Sequence, residues 1–600
     1  METNCVDFVH TVPGACRVLP SDSRWNSIEF ELSLLPKSSE QSHSLPSKYS
    51  KSVDYNLIVT DKAHFNCFIC VIVFLVFAIL AIVLLLHFLP KKHHHLASSN
   101  NLTIPISQAL LFFDAQKSGN LPENYPVKFR RDSGLNDGNT SDIKVDLVGG
   151  FYDSGNNIKF SFTTAYTVTL LSWSAIEYHY KFVDVGELDH IKDIIKWGTD
   201  YLLKVGSASN KTSPENDISC WQRPEDMIYP RPVLVCKNNS TDLAGEIVAA
   251  LSAASLVFRD KHEYSRELVK AAEKLYGIAI RDYHEVGTYT MDDQCGGEVR
   301  QFYNSTSSLD ELAWGATWLF FATGNPSHLN SATENFKLAL EKQLAIDKGV
   351  YYWNNKIAAN ALLLARLRYF HDPGQPYVTA LESSSNMTES LICSYLSDLN
   401  FKKTPGGLIL LKPSQGSPLE YAATASFLSK LYHDYLHAMR SPGVNCISNS
   451  VSLKMLQTFS MSQASFRCSA LTAEWKNPMK MSYLVGYGET FPKKVHHRGA
   501  SIPSDNQKHS CAEGNRWLYS KDSNPNVLKG GMVAGPDEKD HFTDDRNKPE
   551  YTEPRISSNA GLVAALVALH ELPYNSSSLE GINGGLDQTA IFRNIHMNAQ

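Results

Sequence analysis

Leu188-Asp-His-Ile191-Lys-Asp-Ile-Ile195-Lys-Trp-Gly-Thr-Asp-Tyr-Leu202-Leu-Lys-Val205 carries its apolar side chains at steps near three, four and seven. That spacing places them on one face of a helix whose other face meets water. Similar patterns predict helices over Leu243 to Phe258, Glu263 to Asp282, Asp310 to Ala322, Ala358 to Phe370, Tyr421 to Met439 and Ala560 to Leu569. Strand-like alternation is scarce, and the helices are separated by loops rich in Gly, Pro and aromatic residues rather than by low-complexity linkers. From about Ile104 to Phe592 the pattern therefore predicts one large all-α domain whose functional face is made of loops.

The composition fits a folded protein. Of 600 residues, 43% are hydrophobic and 20% charged, which excludes a disordered or fibrous chain. The 56 Lys and Arg are outnumbered by 62 Asp and Glu, so no general basic field exists and nucleic acid is not expected as a partner.

Upstream of this domain, Cys67 to Leu89 is free of Asp, Glu, Lys and Arg. Its 23 residues would reach about 34 Å as a helix, enough to span a bilayer core. With 66 residues before it, the run reads as a permanent signal anchor rather than a cleaved signal. Residues 1–66 read as a flexible cytosolic tail, 90–103 as a juxtamembrane linker and 104–600 as the folded domain. Lys48, Lys51 and Lys62 on one side nearly balance Lys91 and Lys92 on the other. Orientation is better read from the Asn-x-Ser/Thr acceptor sites at Asn101, Asn139, Asn210, Asn238, Asn239, Asn304, Asn386 and Asn575, all of which follow the anchor. They place the large part in the lumen or outside, making a single-pass type II membrane protein of the plasma membrane or of Golgi and endosomal membranes. Glu31, Leu34 and Leu35 read either as an acidic dileucine sorting signal or as a chance cluster.

Seven cysteines lie beyond the anchor, an odd number, so at least one is free or paired elsewhere. Cys220 with Cys236 is one candidate pair. No Cys-x-x-Cys occurs there, and neither a metal nor a cofactor is expected.

Three blocks carry the chemistry. Asp146-Leu-Val-Gly-Gly-Phe-Tyr-Asp153-Ser-Gly-Asn156-Asn-Ile-Lys-Phe160 resembles the N-terminal catalytic motif of glycoside hydrolase family 9. Ser482-Tyr-Leu-Val-Gly-Tyr-Gly488, continuing through Phe491 to His496-His497-Arg498, resembles that family's histidine signature, and Phe542-Thr-Asp544-Asp-Arg through Tyr551-Thr-Glu553-Pro to Asn559-Ala560 its acidic signature. Cys220-Trp221-Gln-Arg-Pro-Glu-Asp-Met227 and Met532-Val-Ala-Gly-Pro-Asp537 are similar to the membrane-anchored plant branch, the KORRIGAN-type endoglucanases.

The resemblance implies an (α/α)6 barrel, a cleft for a β-1,4-glucan chain, hydrolysis with inversion, and the machinery of cellulose synthesis as a partner. Inversion needs one carboxylic acid for the leaving oxygen and one carboxylate for the attacking water. The resemblance implies that Glu553 is the acid, that Asp544 orients it or the substrate, and that His496 and Arg498, with His497 beside them, hold sugar hydroxyls. Trp221 reads equally as a sugar platform or as a core tryptophan, while Trp314 and Trp318 read as helix core.

In the family's Asp-x-Gly-Asp motif the first Asp helps hold the water and the second is the base. Here Asp153 is present and Asn156 stands in the second place. An amide cannot take the water's proton, a loss of about 10²–10⁴ in rate unless Asp153 or another carboxylate reaches the same water. Ile218, Ser308, Pro549 and Arg555 depart from the family pattern nearby. Two functions follow: an endo-1,4-β-glucanase with impaired turnover, or a silent glucan-binding or scaffold protein.

Overall fold

The computed structural model describes residues 102–595 apart from 141–143, 206–208, 211–213, 237–239, 282–286, 398–399, 414–415, 447–449, 466–476 and 573–581, together with Cys70, Val73 and Phe74. The expected tail and nearly all of the expected anchor and linker lie outside the described residues. Among those described, no helix is long and apolar enough to cross a membrane.

Twelve long helices among the described residues alternate between an outer and an inner position. The outer ones are α1 (Thr103–Gln116), α3 (Leu188–Val205), α5 (His262–Arg281), α7 (Pro326–Lys342), α9 (Val378–Leu396) and α11 (Leu453–Ser465). The inner ones are α2 (Ser161–Glu177), α4 (Thr241–Val257), α6 (Leu309–Thr323), α8 (Ile357–His371), α10 (Pro418–Ala438) and α12 (Ile556–Leu569). Each inner helix packs on the next, and α12 closes back on α2. The result is a helical barrel of six outer and six inner helices, the expected architecture.

Burial explains which helices the periodicity revealed. α3 buries Ile191, Ile194, Ile195, Tyr201, Leu202 and Val205 and turns its lysines outward. α2 is buried on every side, so its sequence carries no apolar stripe and spacing predicts no helix there. α2 is also rich in Thr and Ser, poor helix formers, and only its enclosure by α4 and α12 keeps it helical. Local chemistry sets some boundaries. α6 stops at Gly324 with φ 70°, and α7 starts two residues later with Asn325 accepting the Ser327 N–H and Pro326 in the first turn.

Trp173 of α2 meets Trp314 and Trp318 of α6 and Phe427 of α10 edge to face, with ring centroids 5.0–6.1 Å apart. All three tryptophans are fully buried. Lys356, at the head of α8, lies over the Phe162 and Tyr166 rings and between Glu246 of α4 at 3.0 Å and Glu311 of α6 at 3.2 Å. Burial pushes the carboxyls of Glu246 and Asp242 up to about 7.

The disulfides correct the expected Cys220–Cys236 pair. Cys220 joins Cys511, Cys236 joins Cys295 and Cys393 joins Cys446, while Cys468 lies outside the described residues. Proximity in sequence was the wrong guide, because the loop carrying Cys220 packs on the helix Cys511–Leu518: Gly514 sits against the Trp221 carbonyl, where a Cβ would come within 1.9 Å. Of the acceptor asparagines, Asn139, Asn304 and Asn386 are exposed; Asn101, Asn238, Asn239 and Asn575 lie outside the described residues, and nothing is described of the Asn210 side chain.

Candidate active site

The loop before α2, the segment before the short helix Arg498–Ser501 and the turn before α12 meet at one end of the barrel. Backbone hydrogen bonds join them: Arg498 N–H to Gly155 O at 3.0 Å, His496 N–H to Thr552 O at 3.2 Å, and Ile556 N–H to Asp153 O at 3.0 Å. Gly155 is required, because a Cβ there would lie 1.9 Å from the His496 carbonyl oxygen. Residues far apart in the chain, at 153, 156, 496 and 553, are thereby brought to a single place.

Asp153 is 1% exposed. One carboxylate oxygen accepts from the Thr163 hydroxyl at 2.6 Å and the other from the Tyr303 hydroxyl at 2.5 Å. Burial raises its carboxyl to about 6, against the pull of those hydrogen bonds and of Arg555. Tyr303 is itself held from behind, since its carbonyl accepts the Tyr289 hydroxyl at 2.8 Å and the Tyr289 N–H donates to Asp242 at 2.9 Å.

Asn156 is half-buried. Its Oδ1 accepts the Ile158 N–H at 2.9 Å, and its Nδ2 donates to Ser154 Oγ at 2.7 Å. Ser154 in turn donates to Glu553 Oε1 at 2.9 Å. Arg555 Nη2 stands 3.7 Å from Glu553 Oε2. Burial opposes the Arg555 charge, yet Tyr303, Glu553, Glu420 and Asp153 outweigh it and hold the guanidinium protonated more firmly than usual. Sequence reading marked Arg555 only as a departure and missed Ser154, Thr163 and Tyr303. Their roles depend on contacts with residues up to 399 positions away.

His496 packs edge to face on Trp221 with centroids 4.7 Å apart, and its Nδ1–H donates to the Arg546 carbonyl at 2.6 Å. That bond fixes the tautomer with Nε2 as the acceptor, and burial holds the ring below its usual range, so it stays neutral. Asp544 accepts the N–H groups of Lys493 and Lys494, both at 2.9 Å, and so clamps the segment leading to His496.

The other expected sugar-binding residues face inward. His497 is 5% exposed; one nitrogen takes the Ala500 N–H at 3.0 Å and the other meets Gln116 Oε1 at 2.8 Å. Burial drives its protonation down to about 3. Arg498 is 3% exposed, paired with Asp217 at 3.1 Å and donating to the carbonyls of Cys220 and Asp217. Trp221 is 4% exposed, lies under the Arg498 guanidinium and donates to Ser501 Oγ at 2.9 Å. In this arrangement these three residues shape and support the His496 segment rather than offer free donors or an open ring face.

A cavity of about 330 Å³ opens beside Arg555, walled by Phe302, Tyr352, Trp353 and Tyr421. Ring faces and guanidinium groups of this kind suit the apolar faces and hydroxyls of a sugar.

The profile of glycosyl hydrolase family 9 matches residues 104–566. Endoglucanase 25 of Arabidopsis thaliana is 42% identical over 571 residues, covering 91% of this chain and 88% of its own, and Endoglucanase 10 of rice is 40% identical with the same coverage. Among solved structures, an endoglucanase of the termite Nasutitermes takasagoensis superposes with a TM-score of 0.66 at 30% identity, covering 78% of this chain and 98% of its own. A Clostridium cellulolyticum cellulase, Cel9M, in complex with cellobiose gives 0.62 at 28% identity with the same coverage. With most of its length matched and the three blocks assembled at one end of a helical barrel, the chain belongs to glycosyl hydrolase family 9.

Proposed function

We propose that this protein is an endo-1,4-β-glucanase of the cellulase type that engages a β-1,4-glucan chain at the Asp153, Asn156 and Glu553 end of the barrel, with turnover depressed by the missing base. In this reading Glu553 protonates the leaving glycosidic oxygen, and His496 accepts a sugar hydroxyl at Nε2. The reaction inverts the anomeric carbon, and a water must lose its proton to a base opposite the acid. Asn156 offers no such base: its oxygen is occupied by the Ile158 N–H and its nitrogen is a donor. Asp153 is a poor replacement, because it is buried and each of its oxygens already accepts a hydroxyl. That pairing of an engaged Asp153 with an amide at 156 is the observation that carries the reading.

The same observation favours a second reading, a silent glucan-binding protein of cellulose synthesis. One comparison separates the two. With carboxymethyl cellulose, N156D in the full-length chain is expected to hydrolyse at least about tenfold faster than wild type. A wild type already fast and unimproved by N156D would mean that another group is the base. Activity in neither, with cello-oligosaccharide binding retained, would favour the silent reading.

We further propose a single-pass type II topology, with the barrel luminal or extracellular, on the strength of the 67–89 run and the one-sided acceptor asparagines.

A further inference from the structure

Asn156 has its own hydrogen-bond partners, and they reach Glu553. The Ile158 N–H needs an acceptor, and Asn156 Oδ1 supplies it at 2.9 Å, which forces the amide nitrogen toward Ser154. Ser154 Oγ receives that N–H at 2.7 Å and has a single proton of its own, which goes to Glu553 Oε1 at 2.9 Å. Ser154 is 2% exposed, so water does not compete for the hydroxyl. Donors therefore run one way, from the 156 amide through the 154 hydroxyl to Glu553. With Oε1 accepting from Ser154, the proton that Glu553 delivers is better placed on Oε2, the oxygen toward Arg555.

We infer that Ser154 is a positioning residue for Glu553, oriented by Asn156, and that it selects which carboxyl oxygen faces the glucan as the proton donor. The inference rests on the reading of Glu553 as the acid. A consequence follows for position 156. An Asp there would turn an oxygen toward Ser154, and one hydroxyl proton would then face two acceptor oxygens 2.7 and 2.9 Å away in the native geometry. Whichever oxygen lost the proton would meet an oxygen lone pair. Ser154 thus helps the acid when residue 156 is Asn and obstructs the site when it is Asp.

The test is S154A in two backgrounds of the full-length protein, assayed on carboxymethyl cellulose. In the Asn156 background kcat is expected to fall at least about threefold with KM within about twofold; in the N156D background kcat is expected to rise at least about threefold. A residue that merely supported the loop would shift both in the same direction, so equal signs, or no change in both, would overturn the inference. Unfolding temperatures of the variants provide the folding check.

A second arm needs no turnover. The side-chain amide of Asn156, selectively labelled with ¹⁵N, should exchange slowly with solvent in wild type and fast in S154A; fast exchange in both would overturn the relay. If exchange behaves as expected but E553Q leaves the rate unchanged, the assignment of Glu553 as the acid fails and the hydrogen-bond relay stands.

Discussion

E553Q lowers kcat on carboxymethyl cellulose by about 10²–10⁴-fold, measured beside N156D so that the starting rate is large, with KM little altered. The amide keeps the shape and can still accept from Ser154, but it has no acidic proton for the leaving oxygen. A positioned proton donor acts only in the transition state, so its loss appears in kcat. A fall below about fivefold would mean that Glu553 is a loop glutamate.

K356M destabilises the barrel by about 3–5 kcal/mol at pH 8, read from the denaturant midpoint. Lys356 is fully buried, and its ammonium is the counter-charge shared by Glu246 and Glu311 at 3.0 and 3.2 Å. Removing it leaves carboxylates without a counter-charge among aromatic rings. The sign of the pH dependence follows from burial, which raises Glu246 to about 7 in the folded state and places Glu311 well above its ordinary range. A carboxyl raised on folding contributes stability below its unfolded value near 4.5 and loses it as pH climbs through about 7. The cost of K356M should therefore shrink at pH 5, where those groups are protonated in the fold, and K356M/E246Q should recover part of the loss at pH 8. Equal cost at pH 5 and pH 8 would contradict the charge argument. Asp242, at the start of α4, accepts the Tyr289 N–H, and Tyr289 supports Tyr303 against Asp153, so this buried cluster also underlies the site.

The outer helix α3 was legible because its lysines and isoleucines segregate, whereas α2 was not, because every residue of Ser161–Glu177 is enclosed. The catalytic neighbourhood was legible as motifs. Asp153, Asn156, His496 and Glu553 share one place, as the resemblance implied, and Asp544 clamps the segment leading to His496. What could not be read was direction. His497, Arg498 and Trp221 sit within the histidine signature or beside a cysteine, yet their polar atoms turn to Gln116, Asp217 and Ser501. Facing inward or outward is decided by which loop packs over which, and the Cys220–Cys511 bond that fixes that packing spans 291 residues. The Ser154 relay was hidden for the same reason, since its acceptor lies 399 residues away.

In the proposed reading the water-activating carboxylate is absent from an otherwise assembled glucanase site. The pH profile of kcat/KM on a soluble cello-oligosaccharide reads this directly, because an essential base contributes the limb that rises with pH and an essential acid the limb that falls. The expected result is a wild-type profile with no rising limb in the ordinary carboxylate range, and a bell-shaped profile for N156D that gains one there. A wild-type profile already bell-shaped and matching that of N156D would contradict the account.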